Sequence, residues 1–146
     1  MRSTSGASRP VFVDTGAYFG IADRRDHNHA SATAIVRRLV ADRRPLYTTN
    51  FIVAETHALV LKRIDREMAL TVLEDIYRSR LTTVVRVSEE DELRARAIIR
   101  QYQDKDFSLV DAMSFAVMER LGIRHAFTFD CNFAQYGWAI LAPGQS

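Results

Sequence analysis

The sequence predicts an α/β fold with a largely parallel central sheet and helices covering both faces. Three observations predict it. Short apolar or β-branched runs recur along the chain, bounded by turn signals. Between them lie longer stretches with apolar residues at helical spacing and capping residues at their starts. The runs alternate with pairs of helices in the order β-α-α-β-α-α-β-α-α-β-β, the pattern that crossover-connected parallel strands require.

Residues 1–9 are small and polar and are expected to form a disordered tail, leaving residues 10–146 as one domain. Residues 11–13 (VFV) read as a short buried strand, closed by a turn at Asp14-Thr15-Gly16. A short helix through Tyr18 and Ile21 follows, then a charged loop (DRRDHN) with Asn28 as a candidate cap. Residues 30–41 place Ile35, Leu39 and Val40 at helical spacing, and Pro45 stops that helix. Residues 46–48 read as a second strand, and Thr49 or Asn50 caps a helix to about residue 63. Asp65 caps the next, through Met68, Leu70, Leu73 and Ile76. Residues 81–87 (LTTVVRV) are β-branched and read as a strand. Ser88 with Asp91, and Ser108 with Asp111, repeat the capping-box spacing and open helices to about residues 102 and 121. Gly122 closes the second. Residues 125–129 read as a strand ending at Asp130, and residues 138–141 as the last strand.

The chain has 146 residues, 47% of them hydrophobic, enough for one core without a metal or disulfide staple. No apolar run approaches the ~20 residues of a membrane helix. The start carries no apolar leader segment, and the one cysteine, Cys131, has no partner in the chain, so a cytoplasmic location is expected. The formal charge of +2 permits a polyanionic partner without demanding one. Only Lys62 and Lys105 are lysines among the basic residues; arginine suits phosphate recognition, and codon bias in a GC-rich genome explains the same excess.

In an open parallel sheet the functional crevice lies beyond the carboxyl ends of the strands. Two strands end in an aspartate there, Asp14 and Asp130. Asp111 sits in the first turn of a helix, and Glu55 lies in a mostly apolar helical segment. Each has a plainer reading: Asp14 as a turn residue, Asp111 as a capping-box member, Glu55 as an exposed helix residue, Asp130 as a loop residue. Four carboxylates in one crevice repel one another unless one or two divalent ions join them, and Mg²⁺ or Mn²⁺ takes such oxygen ligands. A centre of that kind suits phosphodiester hydrolysis with water as the nucleophile. No Ser-His-Asp or Cys-His arrangement offers an alternative nucleophile.

Four segments, VFVDTGAYFGIAD, TTNFIVAETHALVL, FSLVDAMSFAVMERLGI and AFTFDCNF, together resemble a PIN domain, most closely the VapC-type toxin ribonucleases. They occur in that family's order and span nearly all of residues 10–142. The resemblance implies a PIN-like three-layer α/β/α sandwich and an RNA-hydrolysing enzyme dependent on Mg²⁺ or Mn²⁺. It implies that Asp14, Glu55, Asp111 and Asp130 are the metal-binding catalytic acids. Asn132 lies where some relatives carry another acid, and Ser108 and Thr15 match polar positions near the site. The resemblance also implies a homodimer and a cognate antitoxin.

Phosphate contacts are sought at Arg24, Arg25, Lys62 and Arg63, and base stacking at Tyr18, Phe19 and Phe107; solvated charges and core aromatics are the plainer readings. His27 and His29 beside Asp26 form a possible metal pair or a solvated loop. Two rival functions remain open. One is a non-catalytic RNA- or protein-binding adaptor. The other is an aspartyl-phosphate phosphatase or receiver domain with Asp14 as nucleophile, against which stand Gly16 where a phosphatase needs a second Asp and the lack of a lysine after Lys105.

Overall fold

The computed structural model describes residues 9–142. The expected tail at residues 1–9 lies, apart from Arg9, outside the described residues. Five short strands form one sheet: β1 (Val11–Val13), β2 (Leu46–Thr49), β3 (Thr82–Val85), β4 (His125–Phe127) and β5 (Ala139–Ile140). Their order is β3-β2-β1-β4-β5, and every pair is parallel. Seven helices connect them: α1 (Thr15–Ala22), α2 (His29–Ala41), α3 (Asn50–Arg63), α4 (Arg66–Arg78), α5 (Glu89–Gln101), α6 (Leu109–Leu121) and α7 (Cys131–Tyr136).

Alternation along the strands divides the core into two layers. Phe12 and Ala126 face one side, where they pack with Ile52, Ala95, Ile98, Met113, Phe115, Met118 and Phe133 beneath α3, α5, α6 and α7. Val11, Val13 and Phe127 face the other, against Ala17, Ala32, Ile35 and Leu39 of α1 and α2. A smaller cluster of Phe19, Val60 and Ala69 joins α1, α3 and α4. Gly20 permits the close α1–α2 contact, because a Cβ there would lie 3.1 Å from the Ala32 Cβ.

Most helix starts follow their caps. Thr49 and Asp65 accept from the N–H groups of Ile52 and Met68. Both serine capping boxes form, and Gly122 ends α6 in the left-handed region at φ 69°. Asn28 precedes α2 but makes no side-chain cap. Behind the boxes, Arg120 grips Asp91 with two bonds, Nε to Oδ1 at 2.9 Å and a terminal nitrogen to Oδ2 at 2.7 Å. Arg94, Glu119 and Tyr136 form a second bridge, linking α5, α6 and α7.

The structure corrects several expectations. Asp14-Thr15-Gly16 is no turn: α1 begins at Thr15, and the Asp14 carbonyl accepts from the N–H groups of Ala17 and Tyr18. The strands read at residues 81–87, 125–129 and 138–141 are shorter, at Thr82–Val85, His125–Phe127 and Ala139–Ile140, the residues in register with a neighbouring strand. The direct β-β ending was wrong. The short helix α7 separates β4 from β5, and such a crossover is what lets β5 run parallel to β4. With one turn and a half, α7 is too short for a clear helical period.

An apolar cleft of about 350 Å³ lies between α1, α2 and α4, lined by residues including Ile21, Val36, Val40, Met68 and Val72. No helix among the described residues is long and apolar enough to cross a membrane.

Candidate active site

The carboxyl ends of β1 and β4 lie side by side, Val13 opposite Phe127. Asp14 follows the first and Asp130 lies just past the second. The amino end of α6 delivers Asp111, and Glu55 stands one turn into α3. A cleft of about 420 Å³ is lined by Asp14, Thr15, Gly16, Glu55, Ser108, Asp111, Phe129 and Asp130. All four acids singled out in the sequence therefore border one cleft.

Each is held by a protein donor. Asp14 precedes α1 yet does not cap it; its Oδ2 accepts from Thr128 Oγ1 at 2.8 Å. Thr128 Oγ1 in turn accepts from the Asp130 N–H at 3.0 Å. Thr15 Oγ1 donates to Glu55 Oε1. Asp111 Oδ2 accepts from the Ser108 N–H at 3.1 Å and from Asn132 Nδ2 at 3.0 Å. Asp130 Oδ1 accepts from the Asn132 N–H at 2.9 Å, which opens α7.

Asp14 is the buried member, 6% exposed. Burial pushes its carboxyl from 3.8 up to about 7, the Thr128 and Thr15 hydrogen bonds oppose this, and the Asp111 and Asp130 charges add to it. A buried carboxyl raised this far, in a cleft shared with other acids, marks a candidate functional site. Among the described residues, no three Asp, Glu, His or Cys side chains are drawn together closely enough to hold an ion as they stand. The acids line the cleft without converging. The donor set, all hard carboxylate oxygen around an electrostatically costly buried acid, fits a divalent cation such as Mg²⁺ or Mn²⁺.

Other candidates fall elsewhere. Arg24, Arg25, Lys62 and Arg63 do not line the cleft; Arg25 pairs with Asp23, and the Arg63 guanidinium lies over the Phe19 ring. Phe19 and Phe107 are buried in the core, and Tyr18 packs against both sheet layers. His29 bonds the Gly20 carbonyl through Nδ1 at 2.7 Å while His27 points to solvent, so the two do not form a shared site. Cys131 is exposed beside Asp130. Sequence reasoning missed the hydrogen-bonding parts of Thr128 and Asn132; their signal was a polar residue two positions either side of Asp130.

The family model of the PIN domain matches residues 11–139. The 23S rRNA-specific endonuclease VapC20 of Mycobacterium tuberculosis is 32% identical over 137 residues, covering 91% of this chain and 98% of the relative. A VapC ribonuclease of Archaeoglobus fulgidus is 30% identical over 126 residues, 85% of this chain and 79% of the relative. The crystal structure of the M. tuberculosis VapC20, described as a Sarcin-Ricin loop cleaving toxin, superimposes with a TM-score of 0.81 at 30% identity, covering 91% of this chain and 99% of that one.

Proposed function

The chain belongs to the PIN-domain family, and from that premise we propose that it is a metal-dependent endoribonuclease, the toxin of a toxin–antitoxin pair. The observation that carries the reading is the cleft bordered by Asp14, Glu55, Asp111 and Asp130, with Asp14 its buried member. These four hold Mg²⁺ or Mn²⁺ in this reading. Such an ion supplies Lewis-acid chemistry, which strengthens water as a nucleophile and offsets charge at the phosphodiester.

The chain's own residues prepare that chemistry. Thr128, Thr15, Ser108 and Asn132 each occupy a carboxylate oxygen, which limits how far the acids can swing. Among the described residues, Glu55 Oε2, Asp111 Oδ1 and Asp130 Oδ2 accept no protein donor and are the oxygens left for a cation. Phe129 forms an apolar part of the cleft wall. The similarity to an enzyme named for 23S rRNA supports ribosomal RNA as the first substrate to test.

An antitoxin partner is supported by the exposed apolar cleft between α1, α2 and α4, the kind of surface that takes an amphipathic segment. A homodimer is supported by Phe51, Leu61, Leu70 and Tyr77, which α3 and α4 leave exposed. A single domain over residues 10–146 working in the cytoplasm completes the reading. The test is induced expression in a bacterium with sequencing of RNA ends. New discrete 5′ ends that vanish with Asp14→Asn support it, and equal growth arrest by both proteins refutes it. The adaptor reading predicts no such ends and no metal binding.

A further inference from the structure

The segment from Thr128 to Asn132 reaches three of the four acids. Thr128 bonds Asp14, Asp130 supplies its own carboxylate, and Asn132 bonds two: its backbone N–H meets Asp130 Oδ1 at 2.9 Å and its side-chain Nδ2 meets Asp111 Oδ2 at 3.0 Å. We infer that Asn132 is a positioning residue that fixes which Asp111 oxygen faces the cleft, and thereby sets the affinity of the site for a divalent cation. The inference rests on the metal-nuclease reading above.

Asp111 sits in the first turn of α6 and is only partly buried. The terminal torsion of an aspartate is broad and roughly two-fold, so its two oxygens exchange places unless something distinguishes them. The capping box supplies one N–H to Oδ2, from Ser108. That bond belongs to the helix start and occurs equally at Ser88 and Asp91, which do not line the cleft. Asn132 adds a second N–H to the same oxygen, from another element and 21 positions along the chain. Two donors on Oδ2 leave Oδ1 turned to the ligand side. The residue type matters too. A carboxylate at position 132 would set acceptor against acceptor and add a further charge beside the four acids, whereas the amide donates and carries none.

The experiment uses the full chain and three measurements. Calorimetric titration with Mn²⁺ alone compares the parent with Asn132→Ala, which is expected to bind about 10- to 100-fold more weakly. Urea unfolding of the metal-free proteins is expected to give the same midpoint for both; a midpoint that falls with the Mn²⁺ affinity would assign the loss to folding and overturn the inference. Nuclear magnetic resonance of the metal-free parent follows the Asn132 side-chain amide, whose signals are expected to move on Asp111→Asn; unmoved signals overturn the inference. A parent that binds Mn²⁺ with Asn132→Ala equal to it overturns this inference alone. A parent that takes up no Mn²⁺ overturns the metal-nuclease reading and the inference with it.

Discussion

Replacing Asp14 with Asn is expected to stabilise the metal-free protein at the pH where its nuclease would work. Asp14 is 6% exposed, and its carboxyl is raised from 3.8 to about 7, chiefly by burial. The folded state therefore holds its proton to higher pH than the unfolded chain does. Between those two values the folded state binds more protons, so stability falls as pH rises. Below 3.8 the group is neutral in both states and carries no penalty. Above about 7 it is ionised in both, and the whole difference counts against folding. About three units at 1.36 kcal/mol each gives a penalty of about 4 kcal/mol. Asn has the same shape, is neutral, and still accepts from Thr128. Urea unfolding in EDTA should find Asp14→Asn more stable than the parent by up to about 4 kcal/mol at pH 8 and about equal to it at pH 4. A gain that does not change with pH, or no gain at pH 8, would refute the burial argument. Addition of Mn²⁺ should reverse the order, because only the parent keeps the ligand.

Other outcomes follow from the same structure. Asp111→Asn should abolish both Mn²⁺ binding by calorimetry and RNA cleavage on gels; retention of either would remove Asp111 from the site. Arg120→Ala strips the bidentate partner from Asp91, which is 3% exposed, and should cost about 2–3 kcal/mol by urea unfolding, less than a fully buried pair because Arg120 is half in water. The Arg120 bonds hold the Asp91 carboxyl below its usual range, so that contribution is present above the ordinary carboxylate value and disappears as pH falls through the lowered one. Phe115→Ala should lose about 3–5 kcal/mol, since its fully buried ring stacks on Tyr136 with centroids 4.5 Å apart and meets Phe133 edge-on at 4.9 Å.

Much of the fold was legible because its signals are local. Ser88, Ser108, Thr49, Asp65 and Gly122 each mark a helix boundary through a bond made within a few residues, and all five behave as their chemistry requires. Strand β1 was legible from its unbroken apolar run, as a strand buried on both faces must be. The helix α7 was not, since six residues with one buried apolar member, Phe133, offer no period. Nor was the start of α1, where Thr-Gly imitates a bend while the Asp14 carbonyl in fact opens a helix. Among the site residues, Asp14 and Asp130 stood out as acids at strand ends, Asp111 as an acid in a first helical turn, and the set of four came from the family resemblance. Their placement on one cleft depends on β1 and β4 being neighbours, a pairing across more than a hundred residues that no local pattern encodes. The hydrogen bonds of Thr128 and Asn132 were hidden for the same reason: both are made to acids on other elements.

The wholly parallel sheet has a practical consequence for handling this molecule. Because β1 and β5 point the same way, Arg9 enters at the pole opposite the acidic cleft, whereas Leu141 leaves at the cleft's own pole. A reporter attached at Arg9 itself therefore starts about one strand length from the cleft that takes RNA in the proposed reading. One attached at Leu141 starts at the pole of the cleft itself.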